Sequence, residues 1–168
     1  DSIYSGVFGN VSEATITGLS ITNVEIESTA SQAGVFGRVS NSQIDVVINS
    51  AIITGANDVG VCGYASNSTL DISLDSTASY NEITATGDDV GSAIGRCYGS
   101  TVSAEISNTR VSSDNNTDYG LIGAVYDSSG SSTFTVRVND SSELRPAIDS
   151  SGAKLLSSTI ELQNDITL

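Results

Sequence analysis

At 168 residues with a formal net charge of −14, the chain has the length of one domain, and its six basic residues against twenty acids argue against nucleic acid or an anionic membrane as partner. It holds no His, Met or Trp and only 5% aromatics, so its core draws on Val, Ile, Leu and Ala, and histidine-dependent catalytic dyads and the usual zinc sites lack their ligand. No segment approaches the apolar length of a membrane span.

In chain order, Gly6-Val7-Phe8-Gly9 is the first of a series of Gly-x-x-Gly elements. Ile16 and Gly18 follow it, flanking the polar Thr17, and then comes the short segment Val24-Glu25-Ile26. Gly34-Val35-Phe36-Gly37 leads to Ile44-Asp45-Val46 and Ala51-Ile52-Ile53. Gly60-Val61-Cys62-Gly63 leads to Leu70-Asp71-Ile72 and Glu82-Ile83-Thr84. Gly91-Ser92-Ala93-Ile94-Gly95 is one residue longer and leads to Val102-Ser103-Ala104 and Thr109-Arg110-Val111. Gly120-Leu121-Ile122-Gly123 leads to Phe134-Thr135-Val136. A degenerate sixth coil keeps Ile160-Glu161-Leu162, aligned with Phe134-Thr135-Val136, and its glycine element is eroded to Ala147-Ile148.

The first glycines are 28, 26, 31 and 29 residues apart. A period of this size marks a repeat architecture. Apolar and polar residues alternate within each segment, as in a strand with one buried face. Hairpins would place two-residue turns between neighbouring strands. Here each strand finds its like one coil away. The predicted fold is all-β: a parallel β-solenoid of five to six coils, 26–32 residues each, with three short strands per coil. Coils then lie about 4.8 Å apart. Residues 1–168 form one domain, regular over about 3–140 and a degenerate coil or junction over 141–168. The glycine pairs mark tight bends, with one of the two intervening side chains expected in the core.

The stretches "GVFGNVSEATITGLSITNVEIE" and "GVFGRVSNSQIDVVINSAIITG" resemble the GLUG repeat, and the likeness runs from residue 4 to about 140. That repeat occurs in bacterial IgA-peptidase-type surface proteins and large secreted adhesins. The resemblance implies a surface-exposed β-helical stalk or adhesin region and brings no catalytic residues with it.

An acidic column is the sharpest candidate site. Asp58, Asp89 and Asp118 each lie two residues before a coil's first glycine, where coils one and two carry Tyr4 and Gln32. Stacked near 5 Å apart, such carboxylates repel. Calcium, a hard cation with oxygen ligands, would relieve this and is the one cofactor considered. The plain alternative is solvated turn aspartates. A threonine column, Thr15, Thr69, Thr101, Thr133 and Thr159 with Gln43 as the exception, fits β-branched packing on a strand face. Arg38 and Arg96 share a column with Tyr64 between them, a sugar-binding candidate or an exposed salt-bridging face. Cys62 and Cys97 fall in adjacent coils at offset positions, open to a disulfide or to two buried free thiols. N-glycosylation sequons occur at Asn10, Asn67, Asn115 and Asn139.

The chain starts at Asp1 with neither Met nor signal peptide and reads as a processed or excised segment. Neither end carries an amphipathic cap. Open strand edges invite neighbouring regions of a longer chain, or end-to-end stacking of copies. No pair of acids stands out for catalysis. The expectation is a non-enzymatic extracellular or cell-surface solenoid, structural or adhesive, that stacks into a filament or appendage. The alternative is a carbohydrate-binding or polysaccharide-degrading β-helix, with glycans as partners.

Overall fold

The computed structural model describes residues 3–76, 80–114, 119–126, 132–138 and 158–162. No helix occurs among them. The strands are β1 (Tyr4–Ser5), β2 (Phe8–Ser12), β3 (Thr15–Glu27), β4 (Gln32–Ala33), β5 (Phe36–Ser40), β6 (Gln43–Gly55), β7 (Asp58–Val59), β8 (Cys62–Ser66), β9 (Thr69–Asp75), β10 (Asn81–Ala85), β11 (Val90–Tyr98), β12 (Thr101–Ile106), β13 (Thr109–Ser113), β14 (Tyr119–Val125), β15 (Thr133–Val138) and β16 (Ser158–Leu162). Their pairings are parallel and join each strand to its counterpart one coil on. The described residues form a parallel β-solenoid of about four turns, fewer than the five to six coils expected of the whole chain. The closing strand of a turn is described only as the second halves of β3 and β6 and as β10 and β13, which limits the complete turns.

In the first three turns a two-residue strand (β1, β4, β7) bends at the glycine pair into a second (β2, β5, β8), the two being fused as β11 in the fourth; two corners then lead into a third and a fourth segment, fused as β3 and β6 in the first two turns and separate as β9 with β10 and β12 with β13 in the next two. At the first corner Glu13, Asn41, Asn67 and Gly99 take φ of 53°, 49°, 48° and 56°. Asn and Gly tolerate this left-handed region best. A buried serine ladder stands behind that corner. Ser42 N–H donates to Ser68 Oγ at 3.1 Å, Ser68 N–H to Ser100 Oγ at 3.1 Å, and Ser100 N–H to Ser132 Oγ at 3.3 Å. The hydroxyls of Ser42, Ser68 and Ser100 donate back to the carbonyls of Ser40, Ser66 and Tyr98. The backbone N–H groups at the corner, which have no strand partner, are thereby satisfied coil by coil.

The core is a set of stacked columns. Ile44, Leu70 and Val102 form one, Val46, Ile72 and Ala104 a second, and Ile48, Leu74 and Ile106 a third, all at most 1% exposed. The opposite wall stacks Phe8, Phe36, Cys62, Ile94 and Ile122. Phe8 lies on Phe36 with centroids 5.1 Å apart. Both residues inside the glycine pairs are buried in coils two and three, Val35 with Phe36 and Val61 with Cys62, rather than the single one expected. The chain folds so tightly at the pair that both side chains fall inside the coil.

Two registers differ from the sequence alignment. In coil one, Ile16 opposes Ile44 but Leu19, not Gly18, opposes Val46. A bulge absorbs the extra residue, with Gly18 at φ 65° donating its N–H to Asp45 Oδ2 at 3.1 Å. In the last pairing Ile160 opposes Val136 rather than Phe134, and Thr159 opposes Thr135, a shift of two residues. A shift of two keeps the same face inward, so alternation alone cannot distinguish the registers. The threonine column is otherwise in register from Thr15 through Gln43, Thr69 and Thr101 to Thr133. The segments around Ala147-Ile148 and over 141–157 lie outside the described residues.

Candidate functional site

The site lies where coils three and four meet on the glycine-bearing face. Gly95 lacks the Cβ that would stand 2.5 Å from Asp58 C and 2.7 Å from Asp89 O, so the two aspartate backbones rest directly against it. Arg96, the next residue, is thereby brought beside both carboxylates. Arg96 Nε and Nη2 donate to Asp89 Oδ2 at 2.9 and 2.5 Å. Asp58 Oδ1 sits 3.2 Å from Arg96 Nε, in an ion pair that carries no hydrogen bond. Asp58 Oδ2 accepts a 2.9 Å bond from Gln32 Nε2. Asp58 and Asp89 are 3% and 1% exposed. The Tyr126 ring lies under the guanidinium, its centroid 4.6 Å from Cζ.

Burial pushes the Asp58 carboxyl up to about 6; Arg96 and the Gln32 bond pull it down, and the Asp89 carboxylate adds to the rise. For Arg96, burial works to lower the pKa, but the Asp89 bond and the two aspartate charges outweigh it and raise the value. Asp89 at φ 61° is held in the left-handed region by the turn before β11.

A pH dependence follows. The Asp58 pKa is higher in the fold than the roughly 3.9 of an unfolded aspartate, so between about pH 4 and 6 the native chain binds the extra proton. Stability therefore falls as pH rises through that window and levels off above it. Asp58→Asn removes the decline. We expect urea melts to give the variant no advantage at pH 4 and a gain on the order of 2 kcal/mol at pH 7. A variant no more stable at pH 7 than at pH 4, relative to the parent, would contradict the raised pKa.

The sequence columns meet different fates here. Tyr4, Gln32 and Asp58 are in register as expected, and Asp58 and Asp89 come together. Asp118 lies outside the described residues. A guanidinium, not an open gap, stands between the two aspartates. Among the described residues no three of His, Cys, Asp and Glu converge on a metal position. The partnership of Asp58, Asp89 and Arg96 escapes the sequence because the acids precede the glycine pair and the arginine follows it. Only the fold-back at Gly95 closes that distance.

Arg38, Tyr64 and Arg96 do share one outward column. Arg38 Cζ lies 5.5 Å from the ring centroids of both Tyr4 and Tyr64, and its Nη1 donates to the Tyr4 hydroxyl at 2.8 Å. Arg96 forms a part-exposed salt bridge with the two aspartates, its side chain 35% exposed.

Cys62 and Cys97 are buried and not joined in a disulfide. Cys62 opposes Ile94 and Cys97 opposes Ala65, so they occupy different core columns and act as small apolar fillers rather than as a disulfide. Burial pushes the Cys62 thiol far up, chiefly by desolvation. Asn10 and Asn67 are exposed, Asn67 at the first corner with φ 48°. Asn115 and Asn139 lie outside the described residues. No helix among the described residues is long and apolar enough to cross a membrane.

Comparison of the chain with protein-family models, with curated proteins and with solved structures finds no match.

Proposed function

We propose that the chain is a non-enzymatic, extracellular structural or adhesive solenoid, a stiff rod that displays polar columns and stacks end to end. The observation that carries this reading is the uninterrupted parallel stacking of like coils, each strand paired with its copy one coil on. Among the described residues β1, β2 and β3 pair on one side only, with β4, β5 and β6. Val7 stands 56% exposed there, and Phe8, Leu19 and Ile21 are only half-buried, whereas Val35, Phe36, Val46 and Ile48 at the same places in coil two are sealed. A parallel edge with a half-covered apolar core accepts another coil in the same register, from the same chain or from a second copy. The resemblance to GLUG repeats and the acidic surface agree with a rod outside the cell.

Electron microscopy of the purified chain at low micromolar concentration tests this. Ordered fibres are expected, and Val7→Asp is expected to abolish them without lowering the melting temperature. Monodisperse rods would remove self-stacking and leave the adhesin reading alone. The rival reading, a carbohydrate-binding or carbohydrate-cleaving module, draws on the Arg38, Tyr64 and Arg96 column, and a sugar-dependent rise in melting temperature would favour it.

A further inference from the structure

Among the arginines whose side chains are described, Arg38 alone has no acid beside it. Arg96, at the same place two coils on, is answered by Asp58 and Asp89, and the exposed Arg110 lies opposite Glu82 in register. The neighbours of Arg38 are uncharged. Asn10 and Tyr64 adjoin it along its own column, and Tyr4 and Gln32 hold the places that Asp58 and Asp89 hold around Arg96. A Cβ at Gly37 would stand 2.8 Å from Ser5 N, so this fold-back sets Arg38 beside Tyr4 as the one at Gly95 sets Arg96 beside Asp58. The half-buried guanidinium is clamped between two rings, with Cζ 5.5 Å from the centroids of both Tyr4 and Tyr64. In a chain with twenty acids and six basic residues, this cation is held in place with its charge unanswered.

The rings cover the faces of the guanidinium and fix its plane, and their attraction leaves the charge where it is. Nε is buried without an acceptor, and one N–H of Nη1 goes to the Tyr4 hydroxyl, so the donors left for a ligand are those remaining on Nη1 and Nη2. A carboxylate brings one charge and two in-plane oxygens, which match a planar, pre-oriented fork. A phosphate dianion would bring a second charge that nothing on this face answers. We propose that Arg38 binds the carboxylate of an acidic sugar such as a uronic acid. The exposed Asn10 amide and the tyrosine hydroxyls on either side suit a ring carrying many hydroxyls. An acidic peptide finds less here, because β5 is already paired on both sides, with β2 and β8, and offers no free backbone edge. Asp58, one coil on from Gln32, is buried and ion-paired to Arg96, and the more distant acids are screened beyond about 8 Å at physiological salt. The inference deepens the carbohydrate-binding reading and rests on it for the class of ligand.

The test is a nuclear magnetic resonance titration of the full chain at fixed ionic strength, in the Val7→Asp variant if the parent forms fibres. The probes are the methyl glycoside of galacturonic acid, the uncharged methyl ester of the same sugar, and Nα-acetyl-glutamate amide. Saturable shifts at the Arg38 Nε–H and at the Tyr4 and Tyr64 rings are expected with the acidic sugar and not with its ester. Arg38→Gln is expected to abolish them. Arg38→Lys, which keeps the charge and loses the fork, is expected to weaken binding about tenfold. Tyr4→Asp keeps Arg38 and places a carboxylate beside it as Asp58 stands beside Arg96; by occupying the guanidinium it is expected to weaken binding about tenfold in a chain that still folds. Arg110→Gln, on the other sheet, is expected to change nothing. Equal response to the ester would overturn the carboxylate assignment and leave carbohydrate binding standing. Tighter binding of the glutamate derivative would overturn the sugar. Shifts that persist in Arg38→Gln would overturn the site, and no response to either sugar would remove the inference together with the reading it rests on.

Discussion

Gly63→Ala is expected to cost about 3 kcal/mol or more and to lower the melting temperature by about 10 °C. A Cβ at this position would stand 2.7 Å from Gly37 O, 2.8 Å from Ala33 N and 2.8 Å from Asp58 O. All three are backbone atoms, belonging to coil two and to the chain's own fold-back. A side chain in the way could rotate; a paired backbone moves only by breaking ladder bonds on both sides. Gly63 is not in the left-handed region, so the demand is for space and not for an unusual φ. Thermal melts followed by circular dichroism, with the exposed Asp71→Ala as reference, measure the effect. A melting temperature within a few degrees of the parent would mean that the coils do not approach this closely.

Asn81→Ala should cost nearly as much, about 3 kcal/mol, for an unlike reason. Asn81 is fully buried in a core column between Ala51 and Thr109. Its Oδ1 accepts the Ala51 N–H at 2.8 Å, and its Nδ2 donates to Ser107 O at 3.1 Å and Thr109 Oγ1 at 3.2 Å. One side chain thus ties coils two, three and four together at the second corner. Truncation strands the Ala51 N–H in the interior, leaves the Ser107 carbonyl with only its bond from Thr109 Oγ1, and opens a small void. Hydrogen exchange gives the sharper readout: the Ala51 amide should lose protection far more than the Ile72 amide in β9. Equal loss at both would indicate global unfolding and no specific role for the amide.

Asn81 also marks where sequence reading stops. Within Asn81-Glu82-Ile83 the alternation places Ile83 inward, and by parity Asn81 with it, yet a polar residue at an inward position gives no hint of its partners. Those partners are 26 to 30 residues away in sequence and become neighbours only when the coils stack. The serine ladder is legible in retrospect, since Asn41-Ser42, Asn67-Ser68 and Gly99-Ser100 recur just before the threonine column. Its spacing is as regular as that of the glycine pairs, and it was masked by the abundance of serine elsewhere in the chain.

The sequence by itself determined the class of fold, the parallel pairing and most of the register. Period-two alternation selects strands, and a repeat near 28 residues, as between Gly6 and Gly34, leaves each strand only its own copy to pair with. It also set the outward columns, including Tyr4, Gln32 and Asp58 and the line through Arg38, Tyr64 and Arg96. Tertiary structure alone decided how adjacent columns meet. The fold-back at Gly95 presses Asp58 and Asp89 onto Arg96, turning a ladder of like charges into a buried ion cluster. The bulge at Gly18 and the two-residue slip at β16 were likewise beyond the pattern, because alternation fixes which face a residue takes and not which partner it meets.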